Sequence, residues 1–227
     1  MSTKHAKYFI ALLAIVFRPI FCCAQEDPNA ILEQIRTSQA QLDRPLSGQL
    51  RPEDGDPIPL ELRLKGDEQE FRFQNPPETL VLQLRDESSV LSDQTAGGKQ
   101  IVSGAKMNQP VRGTDITYED LSLRFLYWKN AKYEGEQRVK GITCSIILVQ
   151  PAARISPYGS VRIWVAKDRG AMLRAEAFDW KGKLVKRFEV VSGQRIEGKT
   201  IFRQIRIERV DPETGKTASR TYLELNA

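Results

Sequence analysis

The stretch that decides the fold is residues 115–128, where the chain reads DITYEDLSLRFLYW. Here the spacing typical of a helix interrupts a chain that otherwise alternates apolar and polar residues. Thr117 is a good N-cap residue, and Asp120 stands three positions later, as in a capping box. Glu119 and Asp120 fall in the first turn, where the helix dipole favours acidic side chains. We therefore predict a helix over residues 118–126 and assign this acidic pair to the helix start rather than to acid–base catalysis.

The predicted helix carries the densest aromatic cluster of the chain. Tyr118, Leu121 and Phe125 recur at helical spacing and so share one face, and Tyr127 and Trp128 follow directly. Two interpretations stay open. These side chains form ordinary core, or the helix is a plug whose side chains line a lipid cavity.

Strand-like segments, each with one apolar face, flank the helix on both sides. They are residues 60–64, 70–74, 80–84, 89–91, 100–102, 136–139, 142–150, 160–167, 172–179, 184–191, 200–210 and 218–225. A second helix is predicted over residues 28–44, where Pro45 stops the helical pattern. Residues 46–58 are rich in Pro, Gly and Asp and are predicted to form turns.

The predicted sheet has a larger apolar face than its helices can cover. About ten strands, each about 20 Å long and about 4.8 Å apart, give a face of roughly 950 Å². The predicted helix covers only about 150 Å² of it. An uncovered apolar face of this size is not tolerated in a monomer. The sheet must therefore curl around the helix, fold into a sandwich, or keep an apolar cavity for a ligand.

Residues 1–24 have the three parts of a secretory signal peptide. Lys4 and Lys7 precede an apolar run, and Ala24 provides the small residue at the cleavage point. The apolar run is too short to span a bilayer, which requires about 20 residues. We expect cleavage after Ala24, export to the periplasm, and a single β domain over residues 25–227.

The cysteines leave one alternative open. Cys22 or Cys23 could carry a lipid, but Phe21 precedes them, and lipoprotein signals place a small residue before the modified cysteine. Only Cys144 remains after cleavage, so no intrachain disulfide can form. Its position within an apolar strand predicts a buried, unreactive thiol.

Composition and charge argue against several kinds of function. The only histidine, His5, leaves with the signal peptide, which excludes a Ser-His-Asp triad, a Cys-His pair and an imidazole metal site. Loss of Lys4, Lys7 and Arg18 lowers the formal net charge of +5 by three, to +2. So small a charge does not support a nucleic-acid-binding surface. We therefore expect no enzyme activity, no catalytic residue, no cofactor, no metal and no nucleic-acid partner.

Residues 113–121, Gly-Thr-Asp-Ile-Thr-Tyr-Glu-Asp-Leu, resemble the sDfsyeDL motif of outer-membrane lipoprotein-sorting proteins of the LolA-like superfamily. Later segments are similarly spaced, namely residues 141–144, Tyr158, residues 161–165 and residues 178–183. The resemblance covers residues 100–227 well and residues 28–99 loosely. It implies a mainly β (α+β) fold, a curved antiparallel open half-barrel of about ten strands wrapped around a helix.

The resemblance also implies a function and a site. It implies a monomeric carrier of lipid or lipoprotein acyl chains, with an inner-membrane donor and an outer-membrane acceptor as partners. In the better-known carriers an arginine on an early strand latches the helix, and Arg63 and Arg72 are candidates that no motif assigns. The predicted walls of the acyl-chain cavity are Phe71, Phe73, Leu80, Leu82, Tyr118, Leu121, Phe125, Ile163 and Val165.

Two alternative functions stay open because a fold alone does not determine function. One is a lipid-sensing or protein-interaction module of the same fold with no transport role. The other is a small-molecule enzyme that uses carboxylates or tyrosine alone.

Overall fold

One antiparallel sheet dominates the computed structural model, which describes residues 26–37, 40–95 and 98–226. Its strands are β1 (Leu46–Pro52), β2 (Ile58–Lys65), β3 (Glu68–Phe73), β4 (Glu78–Leu84), β5 (Ser89–Thr95), β6 (Gly98–Ile101), β7 (Asn130–Val139), β8 (Ile142–Gln150), β9 (Ser160–Ala166), β10 (Met172–Phe178), β11 (Leu184–Ile196), β12 (Lys199–Val210) and β13 (Thr217–Asn226). The predicted fold class is confirmed, with thirteen strands among the described residues. The predicted signal peptide lies outside the described residues.

The strand order divides the sheet into two meanders. Strands β1 to β6 and β7 to β13 each pair in sequence, and the pairing of β1 with β13 joins the two halves. β6 and β7 are therefore the two edges of an open sheet, and residues 102–129 connect one edge to the other. This connection, which we call the crossing segment, must pass over a face of the sheet. The sheet curves around it as an open half-barrel.

The helices of the described residues are short. α1 spans Pro28–Thr37, and α2 spans Tyr118–Ser122 within the crossing segment. The crossing segment also contains 3₁₀ turns at Gly104–Asn108, Val111–Gly113 and Arg124–Tyr127. Among all the described residues, no helix has the length and apolar character needed to cross a membrane.

Alternation along the strands gives the sheet one apolar and one charged face. On β2, Leu60, Leu62 and Leu64 are buried, while Glu61 and Arg63 between them are half-buried on the outer side. The inner side chains and the crossing segment form two apolar clusters. We call them the first cluster, mainly against β1 to β5, and the second cluster, against α1 and β8 to β10.

Cross-strand ion pairs cover the outer face at β10 to β13. Glu208 on β12 accepts hydrogen bonds from Arg187 at 3.0 Å and Arg220 at 2.9 Å, and these side chains bury it. Arg187 also pairs with Glu176 at 3.1 Å. Opposite charges on neighbouring strands stabilise a sheet face that meets water. A ligand is therefore expected on the inner, apolar face.

The predicted helix over residues 28–44 is wrong for residues 40–44. Residues 40–44 are not helical, and Leu42 donates its backbone N–H to the carbonyl of Leu64 at 3.0 Å. The side chain of Leu42 is buried in the first cluster. Pairing beside β2 therefore overrides the helical spacing of the apolar residues.

The predicted turns over residues 46–58 are also wrong, because β1 occupies Leu46–Pro52 and only residues 53–57 form a loop. Leu46 and Leu50 are buried on the inner face. Pairing with β2 on one side and β13 on the other satisfies the backbone of a segment whose composition favours turns.

The predicted helix over residues 118–126 is interrupted. α2 ends at Ser122, Leu123 adopts a left-handed conformation with φ of 51°, and a 3₁₀ turn follows. The break separates two side chains that a continuous helix would align. Tyr118 lies in the first cluster, and Phe125 lies in the second.

Candidate functional site

An open cavity of about 480 Å³ lies at one end of the half-barrel, between the crossing segment and strands β11 to β13. This volume is within the range of small-molecule sites. Its apolar walls are Pro157, Val185, Val210, Pro212 and Ala218. Its polar walls are Asn108, Thr117, Tyr158, Lys186, Arg209 and Asp211.

The N-terminal segment lies at the opposite end of the sheet. Gln34 of α1 packs against Gly170 in the β9–β10 turn, where an added Cβ would lie 2.6 Å from its side chain. Asp43 donates its backbone N–H to Glu197 in the β11–β12 turn at 3.1 Å. In an antiparallel meander these turns lie opposite the loops that surround the cavity. The cavity therefore opens at the end that α1 leaves uncovered.

A buried polar cluster centred on Asp120 forms the inner wall of the cavity. The Lys186 Nζ on β11 lies 2.5 Å from Asp120 Oδ2, and the Tyr158 hydroxyl donates to Asp120 Oδ1 at 2.6 Å. Thr117 donates its backbone N–H to Asp120 Oδ2 at 2.7 Å, and its Oγ1 accepts the Asp120 N–H at 3.3 Å, which confirms the predicted capping box. The side chains of Lys186 and Asp120 are only 7% and 2% exposed. We call these four residues the Asp120 cluster.

The hydrogen bonds of the Asp120 cluster indicate a structural link. Burial, followed by the charge of Asp120, raises the pKa of Tyr158 well above its ordinary value. The Tyr158 hydroxyl therefore stays protonated and donates to the carboxylate. Both oxygens of that carboxylate accept hydrogen bonds. The cluster thus ties α2 to β11 and to the loop between β8 and β9.

Asp115, from the same sequence motif, ties the crossing segment to β13. Its carboxylate accepts hydrogen bonds from the hydroxyls of Ser219 at 2.5 Å and Thr221 at 3.0 Å. The Arg209 Nε, at the mouth of the cavity, lies 3.5 Å from Asp115 Oδ1. Acidic residues of the motif therefore hold the crossing segment on the sheet and frame one side of the cavity.

The nine predicted cavity-wall residues lie in the core around the crossing segment. Those of the first cluster are Phe71, Phe73, Leu80, Leu82 and Tyr118, with Leu121 packed against it. Those of the second cluster are Phe125, Ile163 and Val165. None of the nine lines the 480 Å³ cavity, although Val165 lines a smaller one of about 90 Å³. Contact between these side chains and an acyl chain stays a prediction.

The two candidate latch arginines lie on the outer face of the sheet. Arg63 and Arg72 both pair with Glu61, at 3.7 Å and 3.5 Å. An early arginine that does contact the crossing segment is Arg36 of α1, whose Nη1 donates to the Leu126 carbonyl at 2.7 Å. It fastens the 3₁₀ turn that follows α2.

Sequence reasoning missed Lys186, Tyr158 and Arg209 as cavity residues. Lys186 stands two positions before Phe188, which packs against both clusters. A lysine on the apolar side of a strand is the signal that could have identified it. Tyr158 lies in a loop without periodicity, so no sequence pattern indicates its contact with Asp120.

Cys144 is buried on β8, as predicted, next to Val139 and Trp164. Burial raises the pKa of its thiol, so little thiolate forms at neutral pH. We expect Ellman's reagent to label the native protein about a hundredfold more slowly than the urea-unfolded chain. We also expect Cys144→Ala to keep ligand binding. Equal labelling rates in the two states, or loss of binding in the variant, would contradict this prediction.

Comparisons with solved structures agree with this architecture. A DUF1329 family protein from Desulfovibrio piger is 20% identical, with a TM-score of 0.63 over 88% of this chain and 92% of that chain. An outer membrane lipoprotein-sorting protein domain from Vibrio parahaemolyticus is 15% identical, with a TM-score of 0.69 over 88% and 90%. A LolA superfamily protein from Nitrosomonas europaea is 14% identical, with a TM-score of 0.60 over 88% and 91%. At these identities the likeness shows the fold alone.

Comparisons of the sequence itself give the family. No curated protein matches the chain. The sequence model of a family described as "Uncharacterized protein" matches residues 72–226, which include the crossing segment and every residue that lines the 480 Å³ cavity. The chain therefore belongs to this family, and its fold is that of the LolA superfamily.

Proposed function

We propose that this protein is a periplasmic carrier that holds a lipid or lipoprotein acyl chain between the half-barrel and the crossing segment. The observation that carries the proposal is the open cavity of about 480 Å³ at the uncovered end of the fold. Five of its wall residues are apolar, and it continues the side of the sheet on which the core lies. The fold shared with the lipoprotein-sorting protein domain from Vibrio parahaemolyticus supports the proposal.

The cavity volume limits the cargo that fits without rearrangement. A methylene group is close in size to a water molecule, at about 30 Å³, so the open cavity has roughly the volume of 16 of them, or one acyl chain, part of which stays exposed to solvent. Each buried methylene contributes about 0.8 kcal/mol to binding. A second chain requires the crossing segment to move away from the sheet. That movement would bring the nine predicted wall residues into contact with the cargo.

A carrier of this kind needs partners at both membranes. Apolar burial makes a long acyl chain costly to release into water. The proposal therefore includes an inner-membrane donor and an outer-membrane acceptor, with the carrier acting as a monomer between them. It also includes removal of residues 1–24 on export.

Filling the cavity should abolish binding. Ala218 is exposed and lines the cavity, so Ala218→Trp places a large ring in the space without displacing core. We expect its affinity for a fluorescent fatty acid to fall by at least about tenfold, measured by titration of the probe. Thr200→Trp is the matched control. Thr200 is exposed at the start of β12 and does not line the cavity, so this variant should bind the probe like wild type.

Two results would count against the carrier. One is a wild-type protein that does not bind the probe, and the other is an Ala218→Trp variant that binds it unchanged. Binding without transfer of lipid between vesicles would favour the lipid-sensing alternative.

A further inference from the structure

Two exposed apolar side chains stand together beside the cavity. Ile155 is 63% exposed and Trp180 is 38% exposed. Their loops are in contact, because the Trp180 Nε1–H donates to the carbonyl of Ser156 at 3.0 Å. Pro157, in the same loop as Ile155, lines the cavity. The apolar pair therefore lies at the mouth of the proposed acyl-chain site.

The backbone holds these side chains outward. Asp179 Oδ1 accepts the backbone N–H groups of Lys181 at 2.8 Å and Lys183 at 2.9 Å, which closes a tight turn around Trp180. A Cβ added at Gly159 would lie 2.9 Å from the Asp179 carbonyl, so the two loops pack at backbone contact. These contacts hold the two loops in place with the apolar pair exposed.

Two cations lie beside the apolar pair, and the carboxylate of Asp179 there is bound to backbone N–H groups. The Arg154 guanidinium lies 5.5 Å from the centre of the Trp180 ring, and Lys181 is exposed beside it. Neither cation forms an ion pair within the described part of the chain, whereas Lys183 pairs with Glu213 at 2.6 Å. We call Arg154, Ile155, Trp180 and Lys181 the rim patch.

We infer that the rim patch docks this protein on the surface of an anionic lipid bilayer, with the cavity mouth facing the lipids. Tryptophan with its N–H satisfied suits the boundary between headgroups and acyl chains. Unpaired cations beside it are attracted to anionic headgroups. A bilayer also explains why the patch adjoins the cavity, since a docked mouth lets an acyl chain pass without crossing water. This inference deepens the proposed function and rests on it.

Vesicle co-sedimentation of the mature protein tests the docking. Wild type should bind vesicles of phosphatidylcholine with phosphatidylglycerol, bind pure phosphatidylcholine vesicles more weakly, and lose the difference in high salt. The double variant Ile155→Ser/Trp180→Ser should bind the anionic vesicles at least about tenfold more weakly. Ile101→Ser is the matched control, because Ile101 is 68% exposed on the edge strand β6 and lies outside the rim patch. It should bind like wild type.

Intrinsic fluorescence gives a second measurement that needs no variant. Trp128 and Trp164 are buried, so Trp180 is the exposed tryptophan of the described residues. Anionic vesicles should shift its emission to the blue, and brominated lipids should quench it. Unchanged emission together with absent sedimentation of wild type would overturn the inference and leave the rim patch for a protein partner.

The fatty-acid probe separates this inference from the proposed function. In buffer without vesicles the double variant should keep the wild-type affinity for the probe. Loss of vesicle binding with retained probe binding supports membrane docking. Vesicle binding by the double variant at the wild-type level overturns the inference of membrane docking, even if the double variant still binds the fatty-acid probe. Failure of wild type to bind the probe counts against the carrier itself.

Discussion

Replacing Lys186 with methionine should lower the free energy of unfolding by about 3–5 kcal/mol, because it leaves the carboxylate of Asp120 buried without its cation. Methionine keeps the length and apolar stem of lysine, so the loss of the charge dominates the change. Urea denaturation followed by circular dichroism gives the free energy. Asp120 is almost fully buried and, unlike Lys186, does not line the cavity, so water replaces the missing partner poorly.

Two further variants test the cause of that loss. Adding Asp120→Asn removes the unpaired charge, so the double variant should regain much of the stability lost by Lys186→Met alone. Lys181→Met removes an exposed lysine and should change stability by no more than about 0.5 kcal/mol. A loss below about 1 kcal/mol for Lys186→Met would be the size expected of a surface pair and would show that the cluster is not closed to water.

Replacing Gly48 with alanine should also destabilise the protein, by about 3 kcal/mol, the upper part of the range for overpacking. Gly48 pairs with Leu225 where β1 meets β13. An added Cβ would lie 2.4 Å from the Glu224 carbonyl oxygen and 2.8 Å from the Leu225 side chain. Backbone cannot yield as a side chain does, so the two strands must separate. The pairing of β1 with β13 joins the two halves of the sheet, so the damage reaches both.

The matched control is Gly193→Ala, within β11. There the nearest atom to an added Cβ is the Ile201 carbonyl oxygen at 3.3 Å, so a small shift accommodates the methyl group. Alanine also restricts the unfolded chain, which favours folding by about 0.4–1 kcal/mol and offsets that strain. We expect Gly193→Ala to be nearly neutral. Equal unfolding free energies for the two variants, compared by urea denaturation, would refute the role assigned to Gly48.

Several features could be read from the sequence because short-range patterns carry them. The alternation of leucines on β2 with charged residues predicts a sheet with one apolar face, and the structure has that sheet. Thr117 and Asp120 predict a capping box, which the structure contains. The apolar strand around Cys144 predicts burial. Each of these depends on residues a few positions apart, where steric preference and local hydrogen bonds act.

Other features depended on residues that are distant in the chain. β1 is a strand because β13 pairs with it, and the Pro and Gly residues of its own sequence indicate turns instead. α2 ends at Ser122, and Tyr118 and Phe125 on either side of the break pack into different clusters. Local propensity is worth only tenths of a kcal/mol per residue, so packing and pairing decide such cases.

The sequence by itself determined a mainly β chain, a helix start at Thr117 and an apolar face too large for its helices to cover. Only the tertiary structure decided where the cavity lies. It brings Lys186 and Tyr158 to Asp120 across separations of 66 and 38 residues, and it places the cavity beside them. Hydrophobic burial is not directional, so the pattern specifies which side chains leave water but not which of them meet. The strand order and the path of the crossing segment make that choice.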